Sequence, residues 1–419
     1  ILKISFMTKT SCKIVCPFCS LLCDDVTVSL DNNRFEVKNK NLSLCKKKIE
    51  FFNLDKNNRL TPTINNKTSS LRETISSTEK ILKKSGDITI INHGVDMAGV
   101  RSMLRLASHY DCTIDHVNSK YLYNNIGLVQ RTGYMATSLT EVKNRADVII
   151  IFGNDIFKKS PRLVERISSG KSSLGFFKGK RKIILVGNFD TNATKVARKI
   201  GSVVNLKTDI DMIPKILSQL MQRNDNSTFK LSKSLREIHN IIDKSTYLVA
   251  SWSASDFNKS LNSERIINSI SDFIVERNNN YRAACFPIAG NLGDSTSSQV
   301  CTWMTGFPSR IKSYGNTFKH DRYLCDSELI QNNKTTDTVI HFSTLSDQKI
   351  KLNKSLKNIV LGHPKSKLSC IPDVFIPVGI PGIDYEGIMF RTDNVVSLPL
   401  KKIRDVALPT IDDIVREIT

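Results

Sequence analysis

Apolar positions divide the chain into a short segment of alternating residues and a long segment in which strands and helices alternate. Apolar and β-branched residues alternate with polar ones at 13–15, 25–30 and 34–37, and Asp31-Asn32-Asn33 supplies a turn signal. This pattern is typical of antiparallel strands joined by a tight turn. The sequence therefore predicts a small N-terminal domain built on a β-hairpin.

From Ser70 onwards the apolar spacing changes to that of amphipathic helices separated by buried strands. The strands expected there are nearly continuous apolar runs at 88–92, 112–116, 147–153, 182–187 and 202–206. Further strands, each with an acidic or polar start, are expected at 337–342, 358–361 and 373–378. Alternation of this kind predicts parallel sheets that are covered by helices on both faces.

The predicted fold class is α/β, with a small β-rich four-cysteine domain followed by two Rossmann-like α/β units. The expected domain ranges are 1–58, 59–250 and 251–419, the last with a loop-rich C-terminal segment. Ligands of parallel sheets bind at the carboxyl ends of the strands. We therefore expect the binding groups in the loops after Asn92, His116, Gly153 and Gly187.

Composition is that of an ordinary globular protein, and the absence of an export signal indicates the cytoplasm. Its 419 residues are enough for two or three domains, and no apolar run approaches the ~18 residues of a membrane span. The N-terminal residues lack the apolar core of a signal peptide, so the ten cysteines are expected to be thiols in a reducing compartment. Met7 is a plausible start, which would make residues 1–6 an extension.

The net charge of +21 comes from lysines that are spread along the whole chain. The chain is also rich in Asn and Ile, so a compositional bias is favoured over a surface for polyanions. Aromatic residues make up only 7% of the chain, and no aromatic–basic stacking pattern is present. A nucleic-acid partner is therefore not expected.

The strongest chemical signal is a set of closely spaced cysteines, Cys16, Cys19 and Cys23, followed by Cys45. Thiolates at such spacing can converge on one metal centre, because a tight loop brings them to one side of the backbone. Sets of four cysteines hold Fe–S clusters or structural zinc. The alternative is a group of unrelated small buried thiols.

Other candidate groups give weaker signals. His93 and His116 stand at strand exits, where a histidine is more often a hydrogen-bonding group than a catalyst. The Gly- and Ser-rich stretch 289–298 is either a ligand loop or a plain surface loop. No nucleophile elbow, zinc-protease motif or P-loop is present.

Several stretches together resemble the B subunit of formylmethanofuran dehydrogenase, a member of the molybdopterin oxidoreductases. The resemblance runs from Cys16 to about Leu400 and is carried by residues 16–25, 114–116, 139–154 and 299–308, with 376–382 and 391–393 also similar. It implies a 4Fe–4S cluster on Cys16, Cys19, Cys23 and Cys45. It also implies a bis-pterin tungsten or molybdenum centre between the α/β domains.

The same resemblance implies that two loops lie near the pterins. The implied cofactor-binding residues are Gly153, Asn154, Asp155, Ser160, Gly290, Asn291, Gly293, Gln299 and Trp303. Loops of this composition can present backbone N–H groups to a pyrophosphate. Trp303 is expected to pack against either the pterin cavity or the core.

The chain departs from the family at two positions. Tyr121 stands where the resemblance would place the metal-bound thiolate, and no cysteine lies between Cys112 and Cys285. A phenol ionises less readily than a thiol and is a harder ligand. After Cys45 the basic residue is kept at Lys47, but the usual glycine is missing.

These departures favour the related formyltransferase/hydrolase complex, which takes part in tetrahydromethanopterin-linked oxidation of formaldehyde to formate. We expect its B subunit, without redox chemistry of its own and with the metal–pterin lost. The first alternative is the catalytic B subunit of an active molybdenum or tungsten formylmethanofuran dehydrogenase, with His116 as a weak catalytic candidate. The second is a basic scaffold that binds a polyglutamyl methanofuran-type carrier. The partners expected are the other subunits of such a complex.

Overall fold

The computed structural model describes residues 10–31, 34–39, 43–55, 59–117, 119–168, 180–199, 201–221, 232–258, 260–289 and 292–419. The chain forms two compact units. The first unit comprises residues 1–119 and 291–419, and the second comprises residues 120–290. The second unit is therefore inserted, in sequence, between the two halves of the first.

The strands, numbered in chain order, are β1 (Thr10–Ile14), β2 (Val26–Asp31), β3 (Arg34–Val37), β4 (Thr63–Ile64), β5 (Lys67–Thr68), β6 (Ile88–Asn92), β7 (Thr113–His116), β8 (Val148–Phe152), β9 (Arg181–Val186), β10 (Gly201–Leu206), β11 (Tyr247–Ser253), β12 (Arg282–Ile288), β13 (Ile311–Tyr314), β14 (Thr317–His320), β15 (Thr338–Ser343), β16 (Lys349–Ile350), β17 (Lys357–Gly362), β18 (Lys367–Leu368), β19 (Val374–Pro377), β20 (Gly387–Phe390) and β21 (Ser397–Leu400).

The helices are α1 (Ser43–Glu50), α2 (Leu71–Lys84), α3 (Met97–Tyr110), α4 (Ser119–Arg131), α5 (Leu139–Arg145), α6 (Ile156–Lys159), α7 (Leu163–Ser168), α8 (Thr191–Arg198), α9 (Ile213–Met221), α10 (Lys233–Asp243), α11 (Ser263–Asn278), α12 (Asp294–Thr305), α13 (Ser327–Asn333) and α14 (Ile411–Ile418). Short 3₁₀ turns occupy Ile210–Met212 and Ala254–Phe257.

The first unit begins with a small antiparallel sheet of order β1-β2-β3, followed by α1. Alternation of buried and exposed residues in β3 matches its period-two sequence pattern. The predicted β-rich N-terminal segment is confirmed.

The main sheet of the first unit has nine strands in the order β14-β13-β7-β6-β15-β17-β19-β4-β5. Its five central strands, from β7 to β19, are parallel, and an antiparallel hairpin closes each end. The chain runs from β6 to β7 on one side, and later from β15 to β17 and β19 on the other. The direction of strand order therefore reverses between β6 and β15.

The second unit has a five-stranded sheet of order β10-β9-β8-β11-β12, in which every pair is parallel. Strand β8 is buried along its whole length, as its continuous apolar sequence predicts. Strand order reverses between β8 and β11. Each main sheet thus has one point of reversal, where parallel sheets hold their ligands.

The predicted mixed α/β fold with parallel sheets is confirmed, but the sequence did not indicate which strands share a sheet. Strands β15, β17 and β19 complete the sheet that β6 and β7 begin. The predicted ranges 1–58, 59–250 and 251–419 do not share their limits with the two units and remain predictions. The unit limits follow from the return of the chain to its first sheet.

The stretch 289–298, expected to be a loop, becomes helix α12 from Asp294 onwards. The first five residues of α12, 294–298, are poor helix formers, which explains why a loop was predicted. Burial of this turn, from Asp294 to Ser297, supplies the stability that propensity does not.

None of the helices in the described part of the chain combines the length and the apolar character needed to cross a bilayer.

A buried ion pair is expected to stabilise the first unit. The guanidinium of Arg404 donates to both carboxylate oxygens of Asp384, at 2.7 and 3.1 Å, and to the carbonyl of Phe52 at 3.0 Å. Both side chains are almost completely buried. We expect Arg404→Ala to lower the free energy of unfolding by about 3–5 kcal/mol, because Asp384 would be left as a buried, uncompensated charge.

Urea denaturation of the two proteins measures this loss. The matched control is Arg416→Ala, which removes an exposed arginine paired with Asp412 and should cost less than about 0.5 kcal/mol. Equal losses in the two variants would contradict the prediction.

Candidate functional site

Three of the four predicted cluster cysteines lie on one closed loop between β1 and β2. The N–H of Cys16 donates to the carbonyl of Cys23 at 2.8 Å, and the N–H of Leu22 donates to that of Cys19 at 3.2 Å. Leu22 adopts the left-handed backbone region that tightens such a turn. Cys45 is supplied separately, by helix α1.

Cys19, Cys23 and Cys45 all lie within electrostatic range of Cys16. Burial raises the pKa of Cys16 well above its usual value, and Cys19, Cys23 and Cys45 raise it further. Within the described residues, however, no group of three or more His, Cys, Asp or Glu side chains is arranged closely enough to hold a metal ion. The loop therefore brings the predicted ligands into one neighbourhood without placing them in coordination geometry.

Aromatic packing fixes the cysteine loop to the rest of the first unit. The ring of Phe18 stacks on Phe52 with centroids 4.2 Å apart, and Phe52 contacts the ring of His363 at 4.8 Å. The carbonyl of Phe52 also accepts the hydrogen bond from Arg404. The loop is thus anchored beyond its own turn.

At the reversal point of the first sheet, the segment after β6 leads into helix α3, which is capped by Asp96. One Asp96 oxygen accepts from the N–H of Gly99 at 3.1 Å and lies 3.3 Å from the hydroxyl of Tyr385. Its other oxygen is buried and has no hydrogen-bond partner among the described residues. Burial raises the pKa of Asp96 to about 6.

His116, the weak catalytic candidate, is buried at the end of β7. Its Nε2 lies 3.3 Å from the carbonyl oxygen of Leu292, and its Nδ1 lies 3.3 Å from an Asp294 oxygen. Burial lowers the pKa of His116 to about 4, so the ring is neutral near pH 7. These contacts are those of a buried histidine that forms hydrogen bonds within the fold.

A second histidine contact lies on the neighbouring strands. Nε2 of His93 is 3.0 Å from Nδ1 of His341. Desolvation lowers the pKa of both rings, that of His341 to about 4. Two neutral rings can share one hydrogen bond, which explains how they are tolerated so close together.

The predicted loop at 290–303 is described only in part, because Gly290 and Asn291 lie outside the described residues. Gly293 has a φ of +78° and packs against Gly94, where an added Cβ would lie 3.1 Å from the Gly94 Cα. Gln299 is half-buried on α12. Trp303 is 58% exposed and contacts Phe390 edge-on at 5.0 Å.

The other predicted cofactor loop follows β8, at the reversal point of the second sheet. The N–H groups of Asn154 and Asp155 donate to one oxygen of Asp256, at 3.1 and 2.9 Å. Lys159 donates to the other oxygen at 2.6 Å, and the Asp256 side chain is completely buried. Gly153 is required here, because its φ is +112° and a Cβ would meet Asp256 at 2.5 Å.

The remaining predicted residues of this loop have contacts of their own. Asn154 accepts from the N–H of Asn188 at 2.7 Å, which joins the loops after β8 and β9. The carboxylate of Asp155 faces Lys158 at 2.6 Å. The hydroxyl of buried Ser160 has no partner within the described ranges.

Tyr121 lies on helix α4 in the second unit and packs against its core. Its hydroxyl accepts a hydrogen bond from Asn258 at 3.1 Å. The next thiol along the chain, Cys285, is buried in β12, and burial raises its pKa to about 12. The described part of the second unit therefore offers no thiol beside Tyr121 that would ionise near pH 7.

Known proteins share both the sequence pattern and the fold. The chain is 24% identical, over 411 residues and 93% of each chain, to the B subunit of tungsten-containing formylmethanofuran dehydrogenase 2 from Methanococcus maripaludis. It is 23% identical, over 421 residues and 95% of each chain, to the protein of that name from Methanocaldococcus jannaschii. The chain is similar along nearly its whole length to formylmethanofuran dehydrogenase B subunits. The resemblance inferred from the motifs is confirmed.

The fold also matches that of one chain in a solved complex. The formyltransferase/hydrolase complex of Methylorubrum extorquens, crystallised with methylofuran, contains a chain that matches with a TM-score of 0.74. The match covers 85% of this chain and 97% of that one, at 17% identity. No family model matches the sequence.

The two cofactors that the motif resemblance implies fit the residues of this chain unequally. Four thiols from one loop and one helix are the donor set that an Fe–S cluster requires, and such a cluster would supply one-electron transfer. The metal–pterin fits poorly, because the N–H groups after β8 already bind Asp256 and the hydroxyl of Tyr121, the residue aligned with the thiolate, is engaged by Asn258.

Two important carboxylates were not identified from the sequence. Asp256 lies 102 residues after Asn154, and only the adjacency of β8 and β11 brings them together. Asp96 had a local signal, because an aspartate three residues before Gly99 in a nascent helix is a typical N-cap.

Asp96 is expected to make stability depend on pH. Its pKa of about 6 lies above the value near 3.9 of an unfolded chain, so protonation favours the folded state. Its contribution is fully present below about pH 4 and is lost as the pH rises through 6. Relative to Asp96→Asn, which cannot titrate, the parent should lose about 2 kcal/mol of unfolding free energy between pH 4.5 and 7.5.

Urea denaturation of both proteins at the two pH values gives this difference and cancels the titration of the buried histidines, which both proteins share. Exposed Asp272→Asn, on helix α11, serves as the matched control and should show no comparable change. A pH-independent difference between parent and Asp96→Asn would contradict the prediction.

Proposed function

We propose that this chain is the B subunit of a formyltransferase/hydrolase-type complex and that it carries out no redox step itself. The proposal rests on Tyr121, which occupies the sequence position where the resemblance expects a metal-bound thiolate. Its hydroxyl accepts a hydrogen bond from Asn258. A phenol remains protonated near pH 7 and is a poor replacement for a thiolate on molybdenum or tungsten.

The proposed partners are the other subunits of such a complex, in which separate chains would transfer the formyl group and hydrolyse it. The similar fold of a chain in the methylofuran-bound complex of Methylorubrum extorquens supports this assignment. In the proposed complex this chain is a scaffold within formaldehyde oxidation to formate, and we place it in the cytoplasm.

The alternative is the catalytic B subunit of an active dehydrogenase. The complete set of Cys16, Cys19, Cys23 and Cys45 and the similarity to tungsten-containing relatives both favour it. The two functions differ in one measurable respect, since only the dehydrogenase needs tungsten or molybdenum.

Metal and pterin analysis of the complex, purified without oxygen, tests the choice. We expect tungsten and molybdenum far below one atom per chain, and no extractable pterin. Either metal in stoichiometric amount, together with pterin, would overturn the proposed function in favour of the dehydrogenase.

We further propose that the four cysteines still hold an Fe–S cluster. Cys19→Ser should then lose most of the bound iron and the charge-transfer absorption in the visible range, because a hydroxyl is a poor ligand for these clusters. Cys12→Ser is the matched control, since Cys12 lies in β1 outside the spacing of the set, and it should retain its iron. Equal iron contents in the parent and in both variants would contradict the proposal.

A second candidate function is binding of an acidic carrier, such as a polyglutamyl methanofuran-type chain. A surface cleft of about 760 Å³ in the first unit is lined by three lysines and two aspartates among other residues: Lys334, Lys354, Lys357, Asp337 and Asp373. Lys357 is paired with Asp373, whereas neither Lys334 nor Lys354 has a carboxylate within ion-pair distance in the described part of the chain. Two lysines are therefore available for an acidic ligand.

Binding of a glutamate oligomer tests this candidate. We expect the affinity to fall steeply between low and high salt, and to fall several-fold in Lys334→Gln/Lys354→Gln, because exposed charges are screened beyond about 8–10 Å. The control Lys80→Gln/Lys84→Gln removes two exposed lysines from α2. Affinity that does not depend on salt, or equal losses in the two double variants, would count against a carrier site in the cleft.

A further inference from the structure

We propose that the carboxylate of Asp256 is a built-in occupant of the anion position at the reversal point of the second sheet, so that this sheet edge is closed to a phosphate-bearing ligand. The inference deepens the proposed function and rests on it only for the biological meaning of the closure. The geometry that supports it lies entirely within the second unit.

The donors around Asp256 are those that would bind a phosphate oxygen. Backbone N–H groups of Asn154 and Asp155 converge on one carboxylate oxygen, at 3.1 and 2.9 Å. The ammonium of Lys159 binds the other oxygen at 2.6 Å, and it also contacts the hydroxyl of Ser255. Two peptide donors and one cation on a single anion form the arrangement with which proteins usually bind phosphates.

The position of this arrangement in the fold is the second argument. Asp256 comes from the turn after β11, and its donors come from the segment after β8. These two strands are neighbours, and strand order reverses between them. A parallel α/β sheet holds its ligand at this point, outside the carboxyl ends of the strands.

The carboxylate leaves no room or charge for a second anion. Its side chain is completely buried, and Gly153 lies so close that a Cβ there would meet it at 2.5 Å. An incoming phosphate would meet a like charge whose donors are already engaged. Binding would therefore require displacement of Asp256.

The first unit also has one of its own carboxyl groups at its reversal point, without a paired cation among the described residues. At the reversal point between β6 and β15, the 14-residue helix α3 is capped by the Asp96 side chain, which accepts from Gly99. An anionic ligand at this helix N-terminus would compete with a carboxyl group of the chain itself. Both main sheets thus place one of their own carboxyl groups where a ligand phosphate would bind.

Removal of the carboxylate should restore an anion site, which can be measured with the full chain or with its purified complex. In Asp256→Ala, 10 mM inorganic phosphate should raise the unfolding midpoint by roughly 2–4 °C over sodium chloride of equal ionic strength. The parent should show no such phosphate-specific rise. The charge control, Asp272→Ala on the exposed face of α11, should behave like the parent.

The double variant Lys159→Ala/Asp256→Ala separates a restored site from a general salt effect, because it lacks the ammonium and should lose the gain. If Asp256→Ala is insoluble, its recovery during refolding should increase with phosphate or formate and not with chloride. Absence of any anion-specific gain in Asp256→Ala would overturn the proposal, as would an equal gain in the parent. Tungsten in the complex would refute the proposed function without affecting this measurement.

Discussion

Where the order of parallel strands in a sheet reverses, the loops after the two neighbouring strands present backbone N–H groups at the carboxyl edge of the sheet. These groups need a hydrogen-bond acceptor. In many α/β proteins a ligand phosphate is that acceptor. Here Asp256 accepts from Asn154 and Asp155 at one reversal point, and Asp96 accepts from Gly99 at the other. In the second unit, Lys159 lies beside Asp256 and supplies a positive charge for this carboxylate. Residue 153 must be glycine, because Asp256 lies so close that it leaves no room for a Cβ.

The cysteine loop is held in place by contacts within the first unit. Its turn is closed by backbone hydrogen bonds between Cys16 and Cys23, and Phe18 stacked on Phe52 anchors it to the first unit. Backbone hydrogen bonds and aromatic packing therefore both fix the shape of the loop. In the second unit, the hydroxyl of Tyr121 accepts a hydrogen bond from Asn258. In the proposed function, this phenol stands where a redox subunit would need a thiolate. An intact loop of this kind is compatible with the proposed function, in which the chain carries out no redox step.

Local signals predicted a large part of the fold. Strands β3 and β6 match their predicted ranges, because alternating or continuous apolar runs report burial directly. Helix α12 was missed because Ser and Thr in its first turn favour loops unless tertiary burial supports them. The pairing of β15 with β6 was not predicted, since no local signal reveals it across an inserted unit of 171 residues, 120–290.

Residue identity and short spacing were enough to establish the family resemblance, the alternation of strands and helices, and the set of thiols that could bind a cluster. A linear chain displays these properties directly. Folding was needed to bring Asp256 against Gly153 and to bury His116 beside Asp294. Such contacts join residues about 100 or more positions apart, and their existence depends on which strands become neighbours when the sheets form.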